Sequence, residues 1–468
     1  MKKKLGLFSA VCICVGLIVA TSCLLSLGTG IGLAGKSFIL PMFIVVIINS
    51  LLALTLSELH NIMPGVEGGL GQYTLVGLGP VASIVSNLSA YVVTNMLAGA
   101  AEMAMCGYVL HLTFLPMVSP WVIATALLLI LMVINWMGVD MFAKIQNVVV
   151  VLLIGSFIVL GLMGTFRLGT GEAISAAAQT TPVVSGIGGL ISLSALAFWL
   201  FIGIEFIIPV SKDIKNPRKI IPLAMIISLV LLFVVQSLLG NAMGNYVSFE
   251  ELSTSTMPHL IFAENMLGKV GSYWIGIVTM LAGVSTINTV LGSVTRILSG
   301  MAEAEMLPSV FAKKNKFDTP VAGIILIGGT IAFIVISGLT ESSGLTPLLL
   351  AASCFWLTSY ILVCISTLIL RKKYPEAVGR NKKLNFAGIP QIIVILGNIF
   401  MIWNIAEGDT KTFIYRIYVI LLIVMLVYAV GWIKFIKKAS LLARPSLDEI
   451  NEKSLIREDP VINVKELA

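Results

Sequence analysis

Charge is scarce in this chain. Asp, Glu, Lys and Arg make up 11% of its 468 residues, 58% are hydrophobic, and the mean hydropathy is +1.02. Globular domains hold about 25% charged and about 45–50% apolar residues, so a soluble fold is excluded and a polytopic membrane protein is implied. The residues of catalytic and metal sites are also sparse. The three histidines, His60, His111 and His259, are scattered. Cys12, Cys14, Cys23, Cys106, Cys354 and Cys364 lie inside apolar runs with no CxxC pair. They read as packing residues, so no disulfide framework, metal site or cofactor follows. No nucleophile–base set marks an enzyme. No G-x-x-x-x-G-K-[ST] string occurs, which disfavours nucleotide-driven transport and leaves secondary transport, a channel or a sensor.

What is present is a series of apolar runs. Segments of about 20 residues, enough to span a bilayer, fall at roughly 5–30, 38–60, 82–110, 120–138, 145–166 and 186–210. A second set falls at roughly 219–243, 271–300, 321–338, 345–370, 387–406 and 414–436. The basic start followed by an apolar run from Leu5 mimics a secretory signal, but the run continues past Cys23 and reads as span 1. Residues 1–442 form the transmembrane unit and 443–468 a short polar tail.

The net charge of +7 does not point to nucleic acid, because the basic residues sit in short loops between spans. With both termini on one side, that side holds 24 of the 30 Lys and Arg, and the opposite loops hold 5. The positive-inside rule places both termini in the cytoplasm of a multi-pass cell-membrane protein. The remaining basic residue, Arg296, lies in span 8 and reads as structural, reaching the interface or a cytoplasmic acid such as Glu58.

Two spans look breakable. Span 1 carries the small cluster Ala20-Thr21-Ser22 and then glycines at 28, 30, 32 and 35. Span 6 runs FWLFIGIEFIIPV and sets the carboxylate Glu205 two residues after Gly203. A charge in the hydrocarbon layer is costly, and interrupted helices in corresponding places of two halves point to a transporter binding site. The later glycines of span 1 read instead as close helix packing. Span 3 holds the other intramembrane acid. Asn87, Tyr91, Asn95, Gly99, Glu102 and Cys106 recur at three- and four-residue spacing and share one helix face. Glu102 either faces a cavity or makes a structural pairing.

Three strings carry a family likeness: FWLFIGIE with KDIKNPRKIIP (198–205 and 212–222), SELHNIMPGVEGGLGQY (57–73), and SVTRILSGMAEAEMLPSVFAKKNKFDTPVAG (293–323). The chain resembles the amino acid–polyamine–organocation transporters over about residues 5–440. That resemblance implies an all-α integral membrane fold of twelve helices, built as two inverted five-helix repeats plus two extra helices. The repeats would cover about 5–166 and 186–370, and the extra spans about 387–436.

The resemblance also implies roles. Ala20, Thr21 and Ser22 stand where the family binds a substrate carboxylate, although the usual glycine-rich string is absent here. Phe198, Trp199, Phe201 and Ile202 stand at the stretch that meets the substrate amine. Trp199 matches a gating aromatic, and Glu205 an acid-responsive glutamate. Leu153 occupies the place of a lysine that some members carry in span 5, which favours exchange over proton-driven uptake.

With Asn95, Glu102 and Glu205 in the site, a cationic substrate is favoured, since a cation entering a low-dielectric site needs compensating charge. The leading expectation is an antiporter exchanging a cationic amino acid or amine for its metabolic product, such as agmatine or putrescine. The alternatives are a proton-coupled importer of neutral amino acids and a non-transporting nutrient sensor. The partners are small molecules and the bilayer. A homodimer is compatible with such a fold, and no motif reads for or against it.

Overall fold

The computed structural model describes residues 4–64, 69–138, 141–341, 343–379 and 388–451. Lys2, Lys3, part of the double-glycine string (65–68), the basic loop at 380–387 and tail residues 452–468 lie outside the described residues. The spans are helical except where spans 1 and 6 break. Span 1 is split into Leu7–Ile18 (1a) and Thr21–Ala34 (1b). Spans 2 to 5 are Ile39–Ile62, Pro80–Thr113, Pro120–Trp136 and Met141–Thr165. Span 6 starts as short helices, Gly186–Ser192 and Ser194–Phe198, and resumes only at Ile204–Asp213. Spans 7 to 10 are Pro217–Tyr246, Lys269–Glu303, Val321–Ile336 and Leu345–Lys373. Spans 11 and 12 are Ile389–Trp403 and Gly408–Ile436.

This is the twelve-span layout that the sequence implies, with a broken helix opening each set of five. Span 6 breaks at the place the sequence marks, so the apolar run at 186–210 does not make one continuous helix. Proline opens several spans at a position where its missing N–H costs nothing: Pro80, Pro120 and Pro217 each begin a helix.

Burial separates the spans into a centre and a shell. Span 10 buries most of its length, including Phe355, Trp356 and Tyr360. Span 12 buries only Ile414, Met425 and Ala429 along Gly408–Gly431 and leaves Ile420, Ile423 and Val427 exposed, as a lipid-facing helix should. The glycines of span 1b serve packing. A Cβ on Gly30 would enter the Phe38 ring, and one on Gly32 would strike the Ser253 backbone. All six cysteines are buried free thiols.

Of the two alternatives for Arg296, the interface or an acid such as Glu58, the acid is taken by another arginine. Glu58, at the end of span 2, takes a two-pronged bond from Arg371 of span 10, Nε to Oε1 at 2.7 Å and a terminal nitrogen to Oε2 at 2.5 Å. Both side chains are largely buried. Arg296 points outward from span 8 instead. The guanidinium fork of Arg371 matches the two carboxylate oxygens of Glu58.

Candidate functional site

The first break exposes backbone donors. Span 1a ends at Ile18, Val19 and Ala20 leave the helix, and span 1b restarts at Thr21. A helix start has N–H groups with no partner in the helix, and it attracts negative charge. Ala20 stands at the N-cap and has no side-chain oxygen to offer them. Glu102 of span 3 caps the helix from outside: Oε1 accepts from the Thr21 N–H at 2.5 Å and Oε2 from the Ser22 N–H at 3.0 Å. The Thr21 hydroxyl donates to the Thr279 carbonyl of span 8 at 2.9 Å.

The second break exposes carbonyls. After Phe198 the chain makes one tight turn, Trp199–Phe201, becomes extended at Ile202 and reverses at Gly203 with φ +108°. That φ is open to glycine and strained for other residues. Irregular backbone at membrane depth needs partners, and here they are side chains. The carbonyl of Trp199 accepts from Cys23 Sγ at 3.5 Å, that of Leu200 from Gln236 at 2.9 Å, and that of Phe201 from Asn49 at 2.9 Å. The two breaks also hold each other, since Trp199 Nε1 donates to Ser22 Oγ at 2.9 Å.

Between the breaks lies a cavity of about 40 Å³. Of the residues singled out in the sequence, Ala20, Ser22, Asn95, Glu102, Trp199 and Ile202 line it. Thr21, Phe198 and Phe201 do not: they are fully buried and turned into the helix packing, Phe198 edge-on to Tyr360. Glu205 also lies outside the lining, completely buried behind it. Its Oε1 accepts from Trp356 Nε1 at 2.6 Å and its Oε2 from the Tyr360 hydroxyl at 2.7 Å. The Trp356 ring lines the cavity and lies edge-on to Trp199, so Glu205 touches the cavity through one intermediary.

The polar face of span 3 is divided rather than continuous. A wide turn at Leu88–Val93 inserts an extra residue per turn and shifts the register. Asn87, just before it, and Tyr91, within it, cap the helix Leu70–Leu78, accepting from the N–H groups of Gly71 and Leu70. Above it, Asn95, Gly99 and Glu102 reach the cavity. Sequence reasoning missed Trp356, Phe206 and the span 8 face with Thr286 and Val290. Trp356 sits in the apolar run CFWLTSYIL, where nothing separates a cavity aromatic from a packing one.

The geometry is that of a carrier with two interrupted helices around a central cavity. The family model described as amino acid permease matches residues 5–431. The chain belongs to the amino acid permease family. This permease is therefore a multi-pass membrane transporter of the amino acid–polyamine–organocation group, not an enzyme. It is 23% identical over 431 residues to the branched-chain amino acid permease BcaP of Bacillus subtilis, covering 86% of this chain and 88% of the relative. It is 24% identical over 453 residues to an uncharacterized protein of Methanocaldococcus jannaschii, covering 93% and 97%. Among solved structures, the manganese transporter of Eremococcus coleocola superposes with a TM-score of 0.60 at 17% identity, over 92% of this chain and 94% of that one. The last likeness concerns the fold alone. Among the described residues no three His, Cys, Asp or Glu side chains gather as a metal site.

Proposed function

We propose that this permease exchanges a cationic amino acid or amine for its metabolic product, by alternating access around the cavity between spans 1, 3, 6, 8 and 10. The observation that carries this reading is the charge of the lining. Among the described residues it contains one carboxylate, Glu102, and no Lys, Arg or His. A buried carboxylate with no basic partner nearby favours a ligand that brings positive charge. Glu205, one ring behind the wall, adds a second acid on the span 6 side. Leu153 of span 5 is buried where a fixed ammonium would assist proton-driven uptake, which supports exchange. The uneven loop charges support a cell-membrane orientation with both termini in the cytoplasm.

A second reading has its own support. The BcaP relative is named for branched-chain amino acids. Ile18, Ile287 and Val290 would accept such a side chain, with Glu205 carrying a coupled proton. Purified protein in liposomes, loaded or not with agmatine or putrescine, separates the two. Uptake of labelled arginine, lysine or amine that rises with internal load supports exchange. Uptake of labelled leucine or valine that ignores the load and follows a proton gradient overturns it.

A further inference from the structure

We infer that Glu102 is a built-in occupant of the cavity's anion-binding position, and that it makes this permease selective for substrates with an ammonium group and no carboxylate. The inference rests on the cationic reading above and narrows it from amino acids and amines to amines alone.

The argument is a census of donors around the cavity. A substrate carboxylate would need N–H or O–H groups to receive it. The helix start of span 1b is the strongest such place, because two adjacent N–H groups and the helix dipole converge there. Both N–H groups are already spent on the two oxygens of Glu102. The two indole N–H groups in the wall are also spent, Trp199 on Ser22 Oγ and Trp356 on Glu205. Asn95 donates its amide to the Tyr91 carbonyl, and Thr289 its hydroxyl to the Ser285 carbonyl. An incoming carboxylate therefore meets a buried carboxylate already seated on the helix-start donors, and the wall offers it the Thr286 hydroxyl, a neutral donor without the charge of a helix start.

Glu102 is also poorly placed to move aside. Span 8 passes so close that a Cβ on Gly283 would lie 3.5 Å from Glu102 Oε1 and 2.2 Å from Cys106 Sγ. Displacing the carboxylate would leave it buried without its two N–H partners, the costly way to break a buried charged pair.

The remaining groups suit an ammonium. Thr286 Oγ1 is buried in span 8 with no partner in the protein, and Thr286 lines the cavity. Its oxygen can accept an N–H. Trp199, Trp356 and Phe206 supply aromatic surface for a cation. Glu102 supplies the counter-charge.

The test uses matched pairs that differ only by the carboxylate: arginine with agmatine, and lysine with cadaverine. Competition against labelled agmatine in proteoliposomes, with thermal-shift titration of the detergent-solubilised wild type as an independent binding readout, ranks them. The expected result is at least a tenfold preference for each amine over its amino acid. Glu102→Gly, which vacates the N–H pair, should shrink or reverse that preference, and Glu102→Gln should weaken amine binding without creating amino acid binding. Equal or stronger binding of arginine than agmatine by the wild type overturns the inference while leaving the cationic reading intact. Transport of leucine or valine with no response to any of the four cationic compounds overturns both. If Glu102→Gly does not fold, the wild-type ranking alone decides.

Discussion

Trp199 Nε1 donates to Ser22 Oγ across 2.9 Å, and that bond joins the broken part of span 6 to the start of span 1b. It links the only two spans whose helices are interrupted at the cavity among the described residues. A bond between moving parts contributes to whichever state contains it, so its loss should shift the balance between closed and open forms. An intramolecular hydrogen bond is worth about 1 kcal/mol net, which is roughly fivefold in a two-state population. Trp199→Phe keeps an aromatic ring, smaller than the indole, and loses the donor. It should change exchange rate by about that factor while leaving the melting temperature nearly unchanged. Ser22→Ala leaves the indole N–H buried and unpaired, and should be the less stable of the two. A fully active, destabilised Trp199→Phe protein would show that the bond holds the fold and not the gate.

Glu205 reaches the cavity only through the Trp356 ring, which sets up a second measurement. Trp356 Nε1 can only donate, whereas the Tyr360 hydroxyl can donate or accept. Glu205→Gln can keep an oxygen toward Trp356 and turn its amide toward Tyr360, so the fold should tolerate it. Glu205→Ala strands both donors, at about 1–3 kcal/mol each. If Glu205 acts on the cavity through the indole, Glu205→Gln and Trp356→Phe should not add in exchange kinetics. A coupling of about 0.5–3 kcal/mol is expected from a double-mutant cycle. Strict additivity would mean that Glu205 affects transport by another route.

The pair Glu58–Arg371 predicts a contrast between two arginines. Glu58→Gln and Arg371→Gln should each lower stability by about 1–3 kcal/mol, since each leaves a largely buried charge short of its partner. Arg371→Lys should restore little, because an ammonium cannot copy the two-pronged contact. Arg296→Ala should stay within about 0.5 kcal/mol, as an outward-facing side chain. Thermal unfolding in detergent reads all four variants.

Hydropathy and loop charge made the architecture legible, because bilayer thickness dictates run length and proline and glycine mark the ends. The breaks in spans 1 and 6 were legible from local composition: Thr21-Ser22 and Gly203 are poor helix residues inside apolar runs. Direction was harder. Phe198 and Phe201 flank the cavity in sequence yet turn into the packing, since the tight turn at Trp199–Phe201 departs from the helical period on which face assignment depends. The single polar face of span 3 failed at Leu88–Val93 for a related reason, an extra residue that no side-chain pattern announces. Glu102 was visible as a costly charge, but its partners are backbone N–H groups 81 and 80 residues away, which have no sequence signature. Arg371 was hidden by its place in a basic run at the end of span 10, where it looks like its neighbours Lys372 and Lys373.

The placement of Glu102 depends on a residue with no side chain, and this gives the sharpest structural test. A Cβ on Gly283 would sit 2.2 Å from Cys106 Sγ and 3.3 Å from Thr21 Oγ1. The first distance is far inside van der Waals contact, so Gly283→Ala must push Cys106 aside or separate spans 3 and 8. Overpacking of this kind costs about 1–3 kcal/mol. Both routes disturb the Thr21–Ser22 cap, because Cys106 lies one helical turn beyond Glu102 on the same face of span 3. Gly283→Ala should therefore lower the melting temperature and reduce substrate affinity together. Cys106→Ala alone removes only the sulfur and should be mild. Combined with Gly283→Ala it frees the space that the new methyl needs, so the double variant should recover most of the lost stability and affinity. If the double variant is no better than Gly283→Ala, the clash is not with Cys106, and the close approach of span 8 to Glu102 is not what holds the carboxylate in place.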